Sequence, residues 1–142
     1  MRNVLHSTNI VASLIVTLCA TSAAAEPMSA SDFERYTNGK TLFFSRGGAA
    51  YGAERYLENR RVKWSFLDGV CQDGQWYPQG DQICFVYEAN PALQCWRFYE
   101  TTDGLAAEFV DDSAADPSPR ERLYEAQDLT AEMVCLGPKV GV

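Results

Sequence analysis

Between residues 62 and 99 the chain divides into short apolar or aromatic runs, VKWSFLDGVCQDGQWYPQGDQICFVYEANPALQCWRFY, parted by Asp68-Gly69, Asp73-Gly74, residues 78–80 and Asn90-Pro91. Within it, Val62, Trp64 and Phe66 alternate with Lys63 and Ser65, the period-two pattern of a half-buried strand. Runs of this length separated by turn residues read as a meander of antiparallel strands. A two-residue turn at Asp68-Gly69 predicts Phe66 opposite Cys71 and Trp64 opposite Asp73, with the next strand ending at Trp76-Tyr77 and Pro78 opening the following turn. Residues 83–87 and 93–99 form the strongest hairpin. A symmetric loop over 88–91 pairs Tyr87 with Ala92 and, counting back by twos, Cys84 with Cys95, within disulfide reach; a slip of one residue would separate them. Asp103-Gly104 predicts a further hairpin that sets Phe98 against Phe109 and Arg97 against Val110.

The flanks extend the pattern. Ser31-Asp-Phe-Glu34 fits a capping box, Phe33 and Tyr36 share a face, and Asn38-Gly39 supplies a left-handed stop, so one helix of about two turns is expected, plugging or flanking the sheet. Strands are expected at 41–45 and about 49–57, with Gly52 marking a bulge or a close backbone approach and Asn59-Arg60 reversing the chain. Residues 105–110 add a strand. The run DDSAADPSP over 111–119 reads as a solvated loop and lacks the alternating oxygen ligands and turn glycine of a calcium site. Residues 120–135 fit either a strand near 123–128 or a helix. Seven or so short strands with turn glycines predict a mainly β fold, a small antiparallel β-barrel or rolled meander with one short N-terminal helix; a flat sheet with the helix packed over it is the alternative.

Composition places this fold. Residues 1–25 read as a secretory signal peptide, from Arg2 through an apolar run at 10–20 to the small Ala23 and Ala25. A lipoprotein would need Cys19 acylated, which bulky Leu18 disfavours, and the run is too short for an anchor spanning the bilayer. Residues 26–142 then form a single domain, and loss of Arg2 takes the formal net charge from -7 to -8. So acidic a chain repels phosphate backbones, which argues against nucleic acid, and no membrane span follows the leader. Cleavage also removes Cys19 and leaves Cys71, Cys84, Cys95 and Cys135, an even set that suits disulfides in an oxidising compartment, periplasmic or secreted. With Cys84 paired to Cys95, Cys71 is left for Cys135. No two of these cysteines have zinc-knuckle spacing, and the sole histidine, His6, lies in the leader, so triad chemistry and imidazole metal ligation are excluded from the mature chain. No cofactor is expected.

The segments GKTLFF, YGAERYLENRRVKW, GVCQDGQWYPQGDQICFVYE and QCWRFY resemble small exported proteins of alphaproteobacteria whose function is unknown, over residues 39–98. That resemblance implies a periplasmic β-domain and assigns no site. The residues themselves point to a non-enzymatic binding module, its pocket or rim lined by Tyr51, Tyr56, Trp76 and Tyr77, for an unidentified small ligand. A protein-facing role, inhibiting a hydrolase such as lysozyme or joining an envelope complex, is the alternative. A carboxylate enzyme would draw on Glu54, Asp73 and Glu88, which the sequence places beside turns or on strand edges, as solvated charges. Arg97, amid aromatic residues, is expected to pair with a carboxylate or stack on a ring.

Overall fold

The computed structural model describes residues 25–110, 121–127 and 132–137; the expected loop over 111–119 and all but the last residue of the expected leader lie outside them. A helix, α1 (Ala30–Thr37), precedes eight strands: β1 (Thr41–Arg46), β2 (Ala49–Tyr56), β3 (Arg61–Ser65), β4 (Cys71–Gln79), β5 (Gln82–Tyr87), β6 (Asn90–Thr101), β7 (Gly104–Phe109) and β8 (Arg122–Glu125). Each strand pairs antiparallel with its sequence neighbour and β1 pairs antiparallel with β8, so the sheet is a closed up-and-down barrel. An even strand number makes antiparallel closure possible, and closure leaves no exposed ladder edge. Within residues 120–135, Arg122–Glu125 form the strand that closes the sheet, and the flat-sheet alternative falls.

The register sorts side chains cleanly. Opposed pairs Leu42 and Glu54, Glu54 and Trp64, Trp64 and Gln72, Trp76 and Phe85, Phe85 and Gln94, Phe98 and Ala107, and Ala107 and Leu123 trace one face around the barrel, and it is the inner face. Helix α1 closes one end. Phe33 is fully buried, its ring 5.6 Å from Tyr56, 5.1 Å from Trp76 and 4.5 Å from Phe98, and Tyr36 donates its hydroxyl to Glu125 Oε2 at 2.7 Å. Arg60 holds the same end from outside, 3.3 Å from Glu34 and with its guanidinium 4.7 Å from the centre of the Trp76 ring. Of the two placements expected for the helix, plugging or flanking the sheet, it takes the first, and its cap lies two residues earlier than expected. Ser29 is the N-cap and its Oγ accepts from the Asp32 amide at 3.2 Å, while Asn38 and Gly39, the latter at φ 77°, end the helix as expected.

The expected registers of β3–β4 and β6–β7 shift, and the turn expected at Pro78 is absent. The β3–β4 connection is a five-residue loop with Leu67 at φ 64° and Gly69 at φ 84°, secured by the Leu67 amide donating to Ser65 Oγ, so Trp64 meets Gln72 and Ser65 meets Cys71. This one-residue shift turns Asp73 outward onto Lys63, 2.6 Å away, and Trp76 inward. Pro78 continues β4 opposite Ile83 instead of opening a turn; β3 pairs with β4 only as far as Gln75, so no ladder bond on that side needs its missing amide. Across β6–β7, Phe98 meets Ala107 and Trp96 meets Phe109, two residues from expectation, and Arg97 meets Glu108 and donates to Asp81 at 2.7 Å. A two-residue shift leaves every face unchanged.

Both disulfides join the expected partners. In β5–β6 the turn is Glu88-Ala89, with Tyr87 opposite Asn90, and a bulge around Pro91 takes up two residues before Phe85 meets Gln94 and Cys84 meets Cys95. Two extra residues preserve parity, and the Cys84 and Cys95 Cα atoms sit 4.0 Å apart. Cys71–Cys135, with Cα atoms 5.3 Å apart, ties the C-terminal segment to the β3–β4 loop, where the Leu136 amide also donates to Gly69 O at 2.9 Å. Two disulfides fit a chain that folds under oxidising conditions. No helix among the described residues is long and apolar enough to cross a membrane.

Candidate functional site

Above the Phe33 plug the barrel is not filled. A cavity of about 130 Å³ lies between Glu54 on β2, Trp64 on β3, Tyr87 on β5 and Trp96 on β6, and runs toward Tyr51, Phe66 and Asn90 at the end opposite α1. Eight strands give an interior that side chains can just fill or that can hold one small ligand. Two details of sequence leave it partly open. Gly52 and Gly74 face inward without side chains. A Cβ on Gly52 would lie 2.2 Å from Trp64 Cζ2, and one on Gly74 would lie 2.5 Å from Val86 O, so the indole and the Tyr87 ring occupy those spaces and stand against the wall. Gly52 also belongs to a bulge, since Phe44 pairs with Gly52 but Ser45 with Ala50; both roles expected of it are realised. The bulge gives Tyr51 an inward aim at the mouth, where it forms an aromatic trio with Trp64 (5.9 Å) and Phe66 (5.7 Å).

The wall is largely aromatic with one acid. Glu54 is 3 % exposed and accepts from the Tyr87 hydroxyl through Oε2 at 2.8 Å, whereas its buried Oε1 has no hydrogen-bond partner. No lysine or arginine is among the described lining residues. Burial therefore dominates and pushes the Glu54 carboxyl up to about 8, against the smaller opposing effect of the Tyr87 hydrogen bond. The phenols of Tyr56 and Tyr87 are raised well above their usual value, first by burial and then by Glu54. The site is an aromatic chamber holding a carboxylic acid that burial keeps protonated near pH 7.

Of the four expected ligand-binding residues, Tyr51 and Tyr56 line this cavity and the other two do not. Trp76 faces inward but packs in the plug against Phe33, and Tyr77 lies on the outer face, 39 % exposed, opposite Cys84. The three candidate carboxylates are not brought together: Glu54 is inside, Asp73 is outside on Lys63, and Glu88 is at the β5–β6 turn. The reading of Glu54 as a solvated charge is corrected by its burial, and parity was the missed signal, since it stands two residues from Tyr56 and shares its face. Arg97 pairs with a carboxylate, as expected. Among the described residues no group of three or more histidine, cysteine, aspartate or glutamate side chains is arranged to hold a metal. No family model, no curated protein and no solved structure matches this chain.

Proposed function

We propose that this protein is a non-enzymatic binding module of the periplasm, or of the secreted fraction, that holds a small, mostly apolar ligand inside its barrel. The observation that carries the reading is the aromatic cavity of about 130 Å³, closed below by Phe33 and open toward Tyr51 and Phe66. An apolar cavity of about 150 Å³ admits a benzene-sized molecule, which sets the scale of the occupant. The two disulfides and the leader expected in the sequence support export. Titration with toluene, followed by Trp64 and Trp96 fluorescence and by melting temperature, tests the reading. Saturable stabilisation that Ala107→Leu abolishes by filling the cavity is expected; no saturable response refutes it.

A second reading is favoured by a specific surface. Phe66, Val70 and Leu136, 51 %, 61 % and 68 % exposed, belong to the β3–β4 loop and to the segment that Cys135 fastens to it. Apolar side chains on a rigid, disulfide-held rim suit a protein partner, such as a hydrolase to be inhibited or a neighbour in an envelope complex. Inhibition of lysozyme that Phe66→Ser relieves would support this role.

A further inference from the structure

The orphaned oxygen of Glu54 narrows the ligand class. A buried carboxyl oxygen without a partner is costly, and an occupant that stabilises the ionised carboxylate and donates a hydrogen bond to that oxygen would remove the cost. The surrounding surface has its own preference. Tyr51, Trp64, Tyr87 and Trp96 present rings to the cavity, and ring faces attract cations, most strongly where water is excluded. The polar lining groups Gln72, Gln94 and Asn90 carry no charge, and the formal net charge of -7 draws cations toward the protein. We propose that the cavity receives a small organic ammonium ion bearing at least one N–H, which donates to Glu54 Oε1 while the aromatic faces enclose the remainder. This rests on the barrel's being a ligand-binding chamber.

The chemistry predicts a proton linkage. Without a ligand Glu54 carries its proton near pH 7, and the groups facing it, Tyr56 from its own strand and Tyr87 from β5, are phenols held protonated chiefly by burial. Arrival of an ammonium ion makes the carboxylate the favoured form, so the Glu54 proton leaves to solvent and the pair that remains is carboxylate and ammonium. Binding should then release close to one proton at pH 7 and progressively less as pH passes 8, with affinity rising roughly tenfold per pH unit up to about pH 7.

The oxidised protein is titrated calorimetrically with benzylammonium chloride, benzyl alcohol, sodium benzoate and toluene, each in buffers of different ionisation enthalpy. Expected are tightest binding of benzylammonium, about one proton released at pH 7, and at least tenfold weakening in Glu54→Gln. Trp64→Leu should weaken benzylammonium by several-fold more than toluene, which serves as a second variant should the first fold poorly. Toluene or benzyl alcohol binding as tightly as benzylammonium, or ammonium binding without proton release, overturns the ammonium assignment and leaves the binding chamber standing. No binding of any probe overturns both.

Discussion

At the scale of single residues, Glu54 makes stability depend on pH. Its carboxyl titrates near 4.5 when solvated and at about 8 in the fold, so between these values the folded chain holds a proton that the unfolded chain has lost. Stability rises with pH only where the unfolded state binds more protons; here the folded state does, and the sign is negative. The Glu54 contribution is fully present below about pH 4.5, is lost as pH climbs toward 8, and levels off beyond. The ceiling is a few kcal/mol at roughly 1.4 kcal/mol per pH unit. Melting curves from pH 5 to 9 should therefore show a fall for the native chain and a much flatter profile for Glu54→Gln, which stays neutral. Equal slopes in the two proteins would mean that Glu54 is ionised in the fold.

At the scale of elements, the helix matters through one side chain. Phe33 fills the barrel's closed end against rings from β2, β4, β5 and β6, so Phe33→Ala empties a space that a closed sheet cannot collapse to fill, and should cost about 3–5 kcal/mol in denaturant unfolding. Tyr36→Phe removes a single hydrogen bond to Glu125, which keeps the Leu105 amide and Gln127 as partners, and should cost about 1 kcal/mol. The sequence showed these elements well where local chemistry decides them: the helix stop at Asn38-Gly39, the alternation in β3, the bulge at Gly52. It showed pairings where an error is even-numbered, so that Cys84 met Cys95 although the turn and bulge differ from the symmetric loop expected. It misled where Leu67 adopts a left-handed conformation that a leucine does not announce. That single residue of register exchanged the faces of β4, brought Trp76 inward and put Asp73 outside. The chamber itself was half legible: Tyr51 and Tyr56 were visible as aromatic candidates, and the two-residue spacing sets Glu54 on the Tyr56 face, but that this face is closed off from solvent follows only once β1 meets β8.

At the scale of the molecule, the two disulfides constrain different things. Cys84–Cys95 staples adjacent strands already paired, across a sequence separation of 11, whereas Cys71–Cys135 spans 64 residues and reaches over β4 to β8. Cross-linking removes entropy from the unfolded chain according to the length of the loop it closes, which gives about 3 kcal/mol for the short loop and about 4 kcal/mol for the long one. The local effects differ more than these values. Without Cys71–Cys135 the C-terminal segment keeps a backbone hydrogen bond from Leu136 to Gly69, but the β3–β4 loop that carries Phe66 loses its covalent tether. Without Cys84–Cys95 the β5–β6 ladder still holds Phe85 against Gln94. Cys71→Ala/Cys135→Ala should therefore lower stability by more than Cys84→Ala/Cys95→Ala and should also weaken binding at the mouth, seen as faster amide exchange at residues 66–70 and a lower affinity for toluene. The second double variant should be destabilised with its toluene affinity nearly intact. If both lose binding equally, the rim is not what the long disulfide organises, and its contribution lies wholly in the unfolded chain.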